Sequence, residues 1–359
     1  LTKGVESFLP TQSEIEDLPF IAAVSSFRML AARTRELINA HGAPFKFDCG
    51  YVDTAVPNAF ADLHESSHVL GIHQGLVITI IEFALYVFTQ ADQFPQIGDA
   101  AGEDSTAPQF GSAPGIFLLA KTMRGETIDN ETDRHRVPKD ADRHVAAIYL
   151  AMIMRRFVWL HELAHGVNGH MLLLKDLGVR AALNEVPNPA MLVSLKKSSL
   201  PADEARRILH ALELDADASA LRTLCRIQLM GGENIEGIAT LDFRTRMEMS
   251  LLAAYLMAWL FDEYQRFGHT LHDETHPFPR ERLAHLVSFA SREFDQEVDG
   301  FAPFHEEVCA SFNRLAAKIS GMHRIEAGMG VRKNGAMPEN VGELLASLAF
   351  TPPPPEIAS

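Results

Sequence analysis

Cysteine is scarce. Cys49, Cys225 and Cys309 stand far apart in 359 residues, and no C-x-x-C pair occurs. That excludes a disulfide scaffold, a zinc knuckle and a thioredoxin-type redox site, and the three are read as buried free thiols. Basic charge is also short: 32 Lys and Arg face 47 Asp and Glu, for a net charge of −15. An acidic surface repels phosphate backbones. The basic pairs Arg155-Arg156, Lys196-Lys197 and Arg206-Arg207 are too short to change that, so no nucleic-acid partner is expected. Long apolar runs are missing. A membrane span needs about 20 predominantly apolar residues, whereas Leu76–Phe88 stops early and carries Glu82. Val145–Met154 and Leu251–Phe261 are shorter still, so no membrane insertion is expected. The opening Leu1–Glu6 lacks a basic segment followed by an apolar core, so no secretory signal is read there. The chain does not open with Met, a hint that the native start is missing. A cytoplasmic protein is expected.

Apolar residues make up 47% of the chain and charged residues 22%, as in ordinary globular proteins. Periodicity points to a mainly helical chain with a small N-terminal β-sheet, class α+β, and shows no internal repeat or βαβ series. Helical patterns cover Phe20–Ala40, Leu76–Ala91, Ala141–Leu177, Pro201–Leu229, Leu241–Phe267, Pro279–Glu293 and Val308–Ile319. Strands are expected at Phe45–Val52 and Val69–His73. Asp92–Asp140 is rich in Gly, Pro and acids and reads as an insertion or lid around one apolar island, Ile116–Met123. Leu183–Ser199 reads as a linker. The whole is taken as one domain over 1–350, with its core about 45–290 and C-terminal helices in 300–350. A Pro-rich tail, 351–359, is expected to be disordered.

Inside the 141–177 pattern stands His161-Glu162-Leu163-Ala164-His165. A helix turns about 100° per residue, so the two histidines lie about 40° apart, one turn from each other on one face. Two imidazoles so placed can share one Zn²⁺. Glu162 lies about 100° from His161, beside the ion, where it can take a proton from water. The flanks Phe157, Val158, Trp159, Leu160 and Leu163 are apolar. Three polar groups on such a helix cost desolvation energy unless something binds them. His170 lacks metzincin spacing, because Asn168 and Met171 occupy the positions of that pattern's Gly and third His. On a straight helix it falls about 180° from His161 and faces away, unless Gly166 or Gly169 breaks the helix.

A catalytic zinc site needs a third protein ligand and an open position. The next strong helix offers Glu213 and Asp217, four apart and so on one face. Ala211, Ala216, Ala218 and Ala220 let a second helix come close. Glu213 is the expected ligand, and Asp217 is expected to hold a ligating imidazole through its second nitrogen. His210 and Asp215 stand as substitutes for Glu213.

With HExxH and a later Glu-x-x-x-Asp, the sequence resembles the gluzincin zinc metallopeptidases. Pro57-Asn58-Ala59-Phe60-Ala61 with Ile72–Val77, Gly169-His170 after the motif, and His276-Pro277 with Arg282 sharpen this. They resemble the CAAX-prenyl-protease-like group and the phage-exclusion Lit-type peptidases. The likeness runs from about Pro57 to Arg282. The lack of membrane spans favours the Lit-type branch. The resemblance implies a metallopeptidase domain with His161, His165 and Glu213 on Zn²⁺. It makes Asn58, Ala59 and Phe60 a sheet edge to which an extended substrate adds as a strand. It gives His276 or Arg282 the task of stabilising the oxyanion or orienting Glu213 and Asp217.

The expected function is therefore that of a zinc-dependent endopeptidase. Glu162 acts as base, then acid, on a protein or peptide substrate. The alternative is a catalytically silent zinc-binding regulatory or interaction protein; a third reading is hydrolysis of a small amide. A second metal site at His269, His272 and Asp273 is also conceivable. Substrate identity and oligomeric state are not written in these residues.

Overall fold

The structure is a computed structural model. It describes residues 34, 36–105, 113–116, 121, 126, 137–179, 183–184, 201–230, 241–267, 276–319, 325–327, 337 and 339–353. Its strands are Ile38–Asn39 (β1), Phe47–Val52 (β2), Ala59–His64 (β3), Ser67–His73 (β4), Leu183–Asn184 (β5) and Phe350–Thr351 (β6). Its helices are Gln74–Phe88 (α1), Ala141–Val167 (α2), His170–Asp176 (α3), Ala202–Leu229 (α4), Phe243–Phe267 (α5), Pro279–Phe294 (α6), Phe301–Ile319 (α7) and Glu339–Leu348 (α8). Helix dominates, with two small sheets, as the α+β reading expects.

The larger sheet has the order β2-β4-β3-β5. β3 and β4 form an antiparallel hairpin, and β2 lies parallel to β4 on its far side. Side chains alternate across a strand, so Ala59 and Ala61 of β3 and Leu70 and Ile72 of β4 are buried. β3 and β4 pack on α2. Close approach of this region to the helix depends on Gly166, where a Cβ would meet the Phe45 ring at 2.9 Å.

α2 is the centre of the fold. Its apolar residues lie on every face, the pattern of an enclosed helix, and α1, α4 and α5 surround it. Asp140 caps it by accepting from the amides of Asp142 and Arg143, both at 3.0 Å. Arg143, fully buried, then ties down the chain that follows α1. Its guanidinium donates to the carbonyls of Phe88, Gln90, Gln93, Phe94 and Ile97 at 2.9–3.1 Å. Five N–H donors thus meet five backbone acceptors. The first part of the expected insertion is therefore anchored into the core, and Phe94 and Ile97 are buried there. Most of the Ile116–Met123 island lies outside the described residues.

Several boundaries move. The 141–177 pattern is two helices, split at Asn168-Gly169. Gly169 takes φ +81°, a left-handed conformation that stops an α-helix. The expected Phe20–Ala40 helix lies mostly outside the described residues. At its end, Ile38–Asn39 is instead a strand, paired with Phe350–Thr351. There the Asn39 side chain accepts from the amides of His41 and Ala43, folding the chain into a turn. Thr351 accordingly belongs to β6, and 354–359 lies outside the described residues. The helix expected from Val308 begins at Phe301. The 183–199 linker holds β5, with its remainder outside the described residues. The three cysteines are free; Cys225 and Cys309 are buried and Cys49 partly so. Among the described residues no helix is long and apolar enough to cross a membrane.

Candidate metal centre

Two helices build the site. α2 supplies His161, Glu162 and His165 from its last two turns; α4, packed against it, supplies Glu213 and Asp217. All five are buried. The helical period brings the imidazoles together, with His161 Nε2 and His165 Nε2 3.0 Å apart. Glu213 faces both, its Oε2 3.4 Å from His161 Nε2 and its Oε1 3.6 Å from His165 Nε2. Ligand atoms of His161, His165 and Glu213 all lie within 4.8 Å of one another. These three residues form a buried group able to hold one metal ion.

The protonation states suit that task. Burial holds His165 well below the usual histidine range, so it is neutral. Burial alone would raise the Glu213 carboxyl. The neighbouring His165 and the hydrogen bond of His161, with His276 beside them, more than offset it, and Glu213 stays well below the usual carboxylate range. A neutral imidazole and an ionised carboxylate are the proton-free forms that metals bind.

Asp217 performs the expected second task. Its Oδ1 lies 2.9 Å from His161 Nδ1, leaving the His161 Nε2 lone pair for the ion. Burial would raise Asp217, but Arg282 first and then His161 hold it below the carboxylate range. Arg282, buried at the start of α6, donates through Nε and Nη2 to the two oxygens of Asp217. Arg282 thus touches Asp217, one of the two carboxylates the resemblance has it orient. These contacts use two of the five N–H donors of its guanidinium. His276 is buried and acts on Glu213 electrostatically.

Of Asn58, Ala59 and Phe60, Phe60 is paired on both sides, whereas the positions that would lie opposite Ala59 and Asn58 on the β5 side are outside the described residues. β3 runs inside the sheet, with Ile72 and Gly71 of β4 opposite Ala59 and Phe60 on one side. On the other side, Asn184 and Leu183 of β5 pair with Phe60 and Ala61. Asn58 also accepts from the His73 amide through its carbonyl at 2.9 Å. The end strands of this sheet, among the described residues, are β2 and β5.

The two substitutes for Glu213 fall elsewhere. Asp215 bonds His170 and Asn168, and the metal-capable group does not include His210. His269, His272 and Asp273 lie outside the described residues. The residue that sequence reasoning undervalued is His170. Gly169 turns the chain back, and His170 Nδ1 comes to rest 2.9 Å from His165 Nδ1. The glycine beside it, and the Gly169-His170 pair on which the resemblance partly rests, were the signals that could have found it.

No family model matches this chain, and comparison with curated proteins and with solved structures gave no match.

Proposed function

We propose that this protein is a zinc-dependent endopeptidase of the gluzincin type, similar to the Lit-type peptidases. His161, His165 and Glu213 hold the ion. The observation that carries the reading is the buried convergence of two imidazoles and one carboxylate with a second carboxylate, Glu162, next in sequence on the same helix. Two nitrogens and one oxygen suit Zn²⁺, and three protein ligands leave a position open for water, as catalytic sites require. When bound, zinc supplies Lewis acidity and lowers the pKa of its water toward about 7.

This chain's own residues do the rest. Glu162 takes the proton of the attacking water and delivers it to the leaving amide nitrogen. Asp217 and Arg282 keep His161 in its ligating tautomer. His276 adds positive potential beside Glu213. The substrate class is a protein or peptide.

The test pairs metal analysis with cleavage mapping. Wild-type protein should carry one zinc per chain and generate new protein N-termini when expressed. Glu162→Gln should keep the zinc and lose hydrolysis by at least about 100-fold, the lower range for a general acid–base residue. Comparable turnover in the variant would remove Glu162 from its role. Zinc without hydrolysis in either form would favour the regulatory reading.

A further inference from the structure

We infer that His170, together with Asp215, is a positioning unit that fixes the ring orientation and tautomer of His165. This rests on the metal reading above. It extends the centre by residues that the HExxH and Glu-x-x-x-Asp spacing does not point to.

The argument is one of proton placement. For His165 to ligate through Nε2, its single proton must sit on Nδ1, because a neutral imidazole has one N–H. His165 Nδ1 faces His170 Nδ1 at 2.9 Å. His170 must therefore accept there, and its own proton must sit on Nε2. That nitrogen lies 3.1 Å from Asp215 Oδ2, an acceptor and never a donor when ionised. Every contact is satisfied by this one arrangement. His165 donates to His170, His170 donates to Asp215, and His165 Nε2 keeps a lone pair.

The carboxylate is itself held. Asn168 Nδ2 donates to Asp215 Oδ2 at 2.6 Å and to Ser219 Oγ at 2.9 Å. Asn168, Gly169 and His170 are consecutive, so the single turn that ends α2 delivers both Asp215 partners. The two imidazole ligands thus reach the same state by different routes. His161 is oriented by a carboxylate directly, and His165 by a carboxylate acting through a second imidazole. Partners of this kind hold a ligand ring in place and raise its basicity, and losing one costs about 10–100-fold in metal affinity.

The experiment measures zinc affinity of the full chain by competition with a chromogenic chelator. It also records the visible spectrum of the cobalt-loaded form and the thermal midpoint of the metal-free form. His170→Phe fills the ring's space but cannot accept from His165. It should weaken zinc binding about 10–100-fold and alter the cobalt spectrum, with a metal-free midpoint near wild type. His170→Gln restores an acceptor and should recover part of the loss. Asp215→Ala, at a partly exposed position, serves if His170→Phe fails to fold, and should weaken binding about 10-fold. Affinity within threefold of wild type in whichever of these two variants folds overturns the proposal. Failure of the metal reading looks different: the wild type would take up no zinc, or His161→Ala would lose none.

Discussion

Arg282 and Asp217, from two different helices, meet as a buried two-point pair: Nε lies 2.8 Å from Oδ2 and Nη2 lies 2.7 Å from Oδ1. The same Oδ1 takes the bond from His161 Nδ1. One carboxylate thus joins α6 to the end of α2. Arg282→Met leaves Asp217 charged and buried without its cation, a change that costs about 3–5 kcal/mol. Urea unfolding should show it. Asp217→Asn with Arg282→Met should cost less than the two single changes summed. Loss of under about 1 kcal/mol in the single variant would mean the pair is not what holds this corner.

Gly169 and Gly178 both take positive φ, +81° and +76°, but their surroundings differ. A Cβ on Gly178 meets nothing within 4 Å. A Cβ on Gly169 would lie 2.7 Å from the Leu348 carbonyl carbon and 2.9 Å from its Cβ. Gly178→Ala should therefore cost only the left-handed backbone penalty, about 1–2 kcal/mol. Gly169→Ala must also move the end of α8, and it should cost clearly more and weaken zinc binding by shifting His170. Equal thermal midpoints for the two variants would contradict this.

His68 is buried between Phe45 and Phe350, at ring distances of 4.8 and 5.8 Å. Its Nδ1 has no hydrogen-bond partner among the described residues. Burial pushes its pKa down to about 4. The unfolded chain, with histidine near its ordinary value of about 6.5, then binds the proton first on acidification. Stability contributed by neutral His68 is full above about pH 6.5 and is lost as pH falls toward 4. By linkage that loss is about 2–3 kcal/mol between pH 7 and pH 4.5. His305, also pushed down to about 4 by burial, adds a parallel share. His68→Phe should flatten the acid fall in urea midpoint, leaving the His305 share. A fall as steep as wild type would contradict the assignment.

Arg143 tests the anchoring of the segment after α1. Lysine carries three donors on a point charge and cannot meet five carbonyls in a plane. Arg143→Lys leaves buried carbonyls without donors, at about 1–3 kcal/mol for each one unsatisfied. Calorimetry should record a midpoint lowered by several degrees, and an unchanged midpoint would show that the segment holds itself.

The residues of the centre differ in how visible they were. His161, Glu162 and His165 were legible because five residues of helix fix their angles. Glu213 and Asp217 were legible as a pair on one face, though only packing of α4 on α2 says what they meet. Arg282 was marked by a resemblance, and its partner was one of two expected possibilities. Of the expected edge Asn58, Ala59 and Phe60, Phe60 is covered by β5. Which side of a strand stays open depends on a two-residue partner, β5, more than 120 positions away.

The sequence by itself determined what the 3.6-residue period governs: the helices, the pairing of His161 with His165 on one face, and the burial of their surroundings. The tertiary structure decided the rest. It packed α4 on α2 so that Asp217 meets His161 and Asp215 meets His170, and it turned His170 back toward His165 through a left-handed glycine. It also closed β1 on β6 across the length of the chain. The reason is range: helical angles are set by neighbours a few bonds away, whereas these choices depend on backbone reversal and on packing between segments that the sequence keeps far apart.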